Sequence, residues 1–155
     1  FWYKPLASNS ELFTILGQDI LQITIIDPSW IEGRNGAIIP DHGKIMHMYL
    51  IKDDMSVLSH IHPSRSVQNA NIFEVLMPPI PAGNYLVYMD ITYETGFTET
   101  IQSNIQYSNQ NHTIKEGLQL ERDPDDSWST GEMGHKIVWL NEQKEFKSFL
   151  ERLLN

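Results

Sequence analysis

A period of two runs through the first two-thirds of this chain and decides what it can fold into. In Asp19–Asp27 (DILQITIID), Leu21, Ile23 and Ile25 alternate with Ile20, Gln22, Thr24 and Ile26. Such alternation puts one set of side chains on each face of a strand. Ile45–Ile51 and Ser56–His62 read as two further strands, separated by the hairpin signal Lys52-Asp53-Asp54-Met55. Pro63 closes the second because it has no N–H to donate to a ladder. Ile72–Met77 is another strand, stopped by Pro78-Pro79. Pro81-Ala82-Gly83-Asn84-Tyr85 opens a long alternating strand to Ile91, and Thr98–Tyr107 is its expected partner across Thr95-Gly96. About six strands with Gly and Pro between them predict an all-β, antiparallel β-sandwich. Gly83 and Tyr85 resemble the tyrosine corner of immunoglobulin-like sandwiches.

Past Tyr107 the composition changes. Ser108–Thr113 reads as a linker and Asp123-Pro124-Asp125-Asp126 as a solvated acidic turn. In Glu142–Leu154, Phe146, Phe149, Leu150 and Leu153 recur at i, i+3, i+4 and i+7, which predicts a C-terminal amphipathic helix. The expected division is a sandwich over residues 1–107, then a linker and extension over 108–155 that ends in this helix. Net charge is -9, with no run of Lys or Arg, so no nucleic-acid partner or anionic membrane surface is expected. The charge-free stretch Val75–Met89 is broken by three prolines and falls short of the ~20 apolar residues a spanning helix needs, so no direct membrane insertion is expected. The chain opens on Phe1, the expectation being a processed or trimmed product that has lost an export signal or lipid anchor. It has no cysteine, so metal chemistry must use His, Met, Asp or Glu.

Four of the six histidines, His42, His47, His60 and His62, fall within 21 residues. His60-Ile61-His62 sets two imidazoles on one face of a strand. With an even-length turn around Asp53-Asp54, opposed residues sum to 107, which places His47 directly opposite His60 with His62 as its diagonal neighbour. An odd loop would send His47 to the other face. Three neutral imidazoles suit Cu(II), Zn or Ni, and His42, on the incoming loop, could swing in as a fourth ligand. Histidines on a polar sheet face that hold nothing are the bland alternative. Met46 and Met48 flank His47, and thioethers select Cu(I), but this register puts them on the core face with Leu50, Val57 and Ile61.

The run Asp41-His42-Gly43-Lys44-Ile45-Met46-His47, continued by His60-Ile61-His62-Pro63, resembles a module of bacterial envelope proteins related to the YtkA-like group, associated with copper or heavy-metal binding. Pro78–Tyr85 is similar to its PPLPAGxY segment, Glu94–Thr100 to its ESGFxET turn, and Asp123–Trp128 to its DPDDSW stretch. The resemblance implies an immunoglobulin-like or cupredoxin-like sandwich in the periplasm or secreted, with His47, His60 and His62 as ligands and His42 matching the motif as well. Relatives often carry a histidine where Tyr93 stands. Longer relatives continue into a second sandwich, so the expectation from the resemblance is a shortened member or a fragment of one. Three functions follow in order of preference. The first is a metal-binding module that sequesters copper, or alternatively zinc, with room for an envelope protein partner of open identity. The second is a zinc or copper metalloenzyme with an open position for water. The third is an interaction sandwich without metal.

Overall fold

The computed structural model describes residues 4–109 and 112–130. Within them the elements are β1 (Ser8–Ile15), β2 (Gln18–Ile25), α1 (Pro28–Ile31), β3 (Ile38–Ile39), β4 (His47–Lys52), β5 (Val57–Ile61), β6 (Ser64–Arg65), β7 (Ile72–Leu76), β8 (Gly83–Tyr93), β9 (Thr98–Tyr107), β10 (Thr113–Ile114) and β11 (Ser127–Thr130). They form two sheets. One runs β10-β1-β2-β7-β6 and the other β11-β5-β4-β8, with β9 on the far edge of β8 and β3 continuing the β4 side. Every pairing is antiparallel except the short β1–β10 contact.

The core lies between the sheets. Leu21, Ile23 and Ile25 of β2 and Phe73 and Val75 of β7 meet Met48 and Leu50 of β4, Val57 and Ile61 of β5, and Val87, Met89 and Ile91 of β8. Met46, Met48, Leu50 and Ile61 are fully buried, and each such side chain contributes roughly 1.5–3 kcal/mol over an exposed one. The predicted core face of the histidine hairpin is therefore the observed one. A smaller apolar layer on the outer face of the first sheet joins Phe13, Ile15, Ile20 and Leu76, with Leu120 against it.

Strand pairing continues past Tyr107. The chain read from composition as a linker and extension supplies β10 to one sheet and β11 to the edge of β5 in the other. The helix expected over 142–154 lies outside the described residues. Among those described, no helix is long and apolar enough to cross a membrane.

The tyrosine corner is present: the Tyr85 hydroxyl donates to the Pro81 carbonyl at 2.6 Å, pinning the start of β8. Tyr85→Phe should lower the unfolding free energy by about 1 kcal/mol, seen as a lower urea midpoint at unchanged slope. An unchanged midpoint would show that the bond holds nothing.

Candidate metal centre

The β4–β5 hairpin carries three histidines on the face turned away from the core. Its turn sets the register. Met55 N–H donates to the Lys52 carbonyl at 2.8 Å with Met55 at φ 63, and the Asp54 carboxylate takes both the Ser56 N–H and its hydroxyl, at 3.0 and 2.6 Å. Ser56 is thus drawn into the turn and lost to the ladder. Pairing runs from Ile51 opposite Leu58 to Tyr49 opposite His60 and Met48 opposite Ile61. The expected pairing of His47 with His60 is corrected by two residues: Tyr49 faces His60, and one step beyond the ladder brings His47 level with His62. A shift of two keeps the parity, so all three imidazoles stay on one face.

There they converge. The ring centroids are 5.2 Å apart for His47 and His60, 5.2 Å for His47 and His62, and 4.6 Å for His60 and His62. One nitrogen from each ring lies within 4.8 Å of the others. His60 is fully buried, and His47 and His62 are each only 7% exposed. Tyr49, the register partner of His60, stacks on its ring at 4.5 Å and 11°.

With the rings neutral, hydrogen bonds assign the tautomers. His47 Nε2 lies 2.9 Å from the Asp41 carbonyl, an acceptor only, so Nε2 carries the proton and Nδ1 the lone pair. That Nδ1 meets His60 Nε2 at 3.0 Å, so His60 donates to it. His62 Nδ1 donates to Asp126 Oδ1 at 3.0 Å, which leaves the lone pair on its Nε2. Burial first, and the neighbouring His62 and His47 second, push the His60 pKa down to about 3, so this ring stays neutral at physiological pH.

The donor set fits a metal ion. Neutral imidazoles are the ligands a borderline divalent ion takes. A tetrahedral ion with Zn–N bonds of ~2.0–2.1 Å needs its nitrogens roughly 3.3 Å apart, close to the observed His47–His60 separation of 3.0 Å. An ion using both of those nitrogens replaces the single proton now shared between them.

His42 stands apart. Its side chain is 71% exposed, its ring is 6.4 Å from that of His47, and it groups with Asp41 and His47, not with His60 and His62. It occupies a tight turn with His42 at φ 48 and Gly43 at φ 78, closed by Asp41 and Lys44 exchanging backbone hydrogen bonds at 2.9 and 3.0 Å. Two left-handed residues in succession make this a type I′ geometry, in which glycine at the second position costs least. Tyr93 belongs to the core face, where its hydroxyl donates to buried Glu99.

The acidic turn at 123–126, expected in solvent, is part of this centre. Asp126, with a side chain only 1% exposed, accepts from the His62 backbone N–H at 2.9 Å as well as from its ring. Lys44 Nζ lies 2.8 Å from both Asp123 oxygens and 2.9 Å from Asp125, and Asp123 first, then Asp125, hold its pKa above the usual lysine value. The signal that could have found this is charge complementarity between the lone Lys44 of the histidine motif and three carboxylates of the DPDD stretch.

No family model matches the chain, and no curated protein matches it. The YtkA-like resemblance therefore stands on its motif residues alone. Among solved structures, the crystal structure of CopC from Methylosinus trichosporium OB3b aligns with 73% of this chain and 100% of its own, at 9% identity and a TM-score of 0.37. A likeness of that order carries neither fold detail nor function to this protein.

Proposed function

We propose that this protein is a metal-binding module of the bacterial envelope that holds one copper ion on His47, His60 and His62. The observation that carries the reading is the direction of the ring nitrogens. His47 and His62 each give their outer N–H to a fixed acceptor, the Asp41 carbonyl and the Asp126 carboxylate, and keep a lone pair for the cluster. Metal-ligating histidines are oriented in this way, with the second nitrogen bonded to a carbonyl or carboxylate. Burying three imidazoles also costs more than packing apolar side chains on the same face, so their presence asks for a return. Copper is preferred over zinc because divalent affinity for a nitrogen site peaks at Cu(II), and zinc is the alternative ion. Rings less than a tenth exposed suit holding an ion more than turning over a substrate on it. The envelope setting, periplasmic or secreted, and the immunoglobulin-like or cupredoxin-like type of sandwich rest on the resemblance. His42, at the rim, is a secondary contact in this reading.

The test is calorimetric titration of the metal-free protein with Cu(II) and Zn(II) at pH 7.5. One ion per chain is expected, with copper the tighter. Absence of saturable binding by either ion would sink the reading.

A further inference from the structure

The three histidines sit on one hairpin, yet their orientation depends on residues far from it in sequence. We infer that Asp126 and Lys44 are positioning residues for the metal centre, acting through a single relay that starts at the Asp41–Lys44 turn. The inference rests on the metal reading above for its binding arm and on geometry alone for the rest. That turn bears on both outer ligands, on His47 directly and on His62 through the acidic turn. Its Asp41 carbonyl fixes the ring of His47 at 2.9 Å. Its Lys44 ammonium reaches across to Asp123 and Asp125, at 2.8 and 2.9 Å, and so seats the acidic turn. Asp125 N–H and Asp126 N–H close that turn onto the Asp123 carboxylate and carbonyl, at 2.9 and 3.0 Å. Asp126, left out of the lysine's reach, spends Oδ1 on His62, gripping backbone and ring together. Its Oδ2 faces Arg122 at 4.0 Å.

The chemistry requires this division. Three carboxylates within four residues repel one another unless a cation neutralises some of them, and Lys44 takes two. A carboxylate on Nδ1–H fixes the tautomer that leaves the Nε2 lone pair available and raises its basicity. β11 follows at once and pairs with β5, with Ser127 opposite His60, so the relay is anchored on the strand it serves.

Histidine-selective ¹⁵N spectra of the metal-free protein, together with copper titration, test the relay. Wild-type His62 should appear as the Nδ1–H tautomer. In Asp126→Ala the His62 signal should move towards the Nε2–H form, and copper affinity should fall about 10–100-fold, the usual cost of losing an orienting partner. Lys44→Met, at a side chain 20% exposed and outside the cluster, should weaken copper binding by about tenfold and Lys44→Arg should recover most of it. If Asp126→Ala does not fold, the Lys44 pair and its His62 spectrum carry the test. Asp126→Ala or Lys44→Met binding copper within twofold of wild type, with the His62 tautomer unchanged, overturns the relay while leaving the ligands in place. If instead His47→Ala, His60→Ala and His62→Ala all bind copper like wild type, it is the metal reading that fails, and the tautomer of His62 still decides the role of Asp126.

Discussion

Copper affinity should drop by more than about 100-fold when His60 is replaced by alanine, beyond the ~10–100-fold that removal of an orienting partner costs. His60 is the hinge of the cluster. It contacts both other rings, 3.0 Å from His47 by nitrogen and 4.6 Å from His62 by centroid, and it is fully buried. Without it only two imidazoles remain, fewer than the three protein ligands that hold an ion at an open site. His47→Ala and His62→Ala should each fall in the same range. His42→Ala, at a side chain 71% exposed, should cost no more than a few-fold, and His112→Ala nothing beyond error. Removing His60 also takes away the stacking partner of Tyr49, so urea unfolding of each metal-free variant separates lost ligation from lost fold. Affinities unchanged from wild type in the three variants, or a loss that tracks stability alone, would end the case for a shared ion.

Much of this centre could be read from the sequence, and the parts that could not have physical causes. Alternation identified β2, β4, β5, β7, β8 and β9, because each strand presents a clean apolar face to the core. It missed β1, whose apolar side chains serve two layers: Leu12 packs on the main core, while Phe13 and Ile15 lie under Leu120. It missed β10 and β11, which are too short for a period to show. Parity within the hairpin was legible since any even loop preserves it. The exact pairing was not, because it hangs on one side chain, Asp54, capturing Ser56. Asp126 lies 64 residues from His62 and its turn has the composition of a solvated loop. No local rule distinguishes that from a carboxylate carried to a histidine by the return of the chain along β5. His42 shows the opposite failure: it shares the motif, yet the left-handed turn that Gly43 permits leaves its ring outside.

The metal-free protein should lose stability as pH falls below about 6.5, with His60 a main cause. In the unfolded chain this imidazole titrates near 6.5, whereas burial and the two neighbouring imidazoles hold it near 3 in the fold. Between those values the unfolded state binds a proton that the native state refuses. Stability therefore rises with pH across this window, and is lost as pH drops from 6.5 towards 3. At about 1.4 kcal/mol per pH unit for one proton, His60 alone removes about 2 kcal/mol between pH 6.5 and pH 5. The unperturbed imidazole value by itself would give steep proton competition with copper between pH 7 and pH 5. At His60 that competition moves from the folded site into the unfolded chain, so acid should release the ion partly by undoing the fold around it. Urea midpoints of the metal-free wild type and of His60→Leu at pH 7.5, 6.0 and 5.0 isolate the effect, because every other titrating group is common to both. The wild-type curve should fall more steeply, by close to one proton's worth of slope. Parallel curves would mean that His60 takes up its proton inside the fold as easily as outside it, and that the cluster is far wetter than its burial allows.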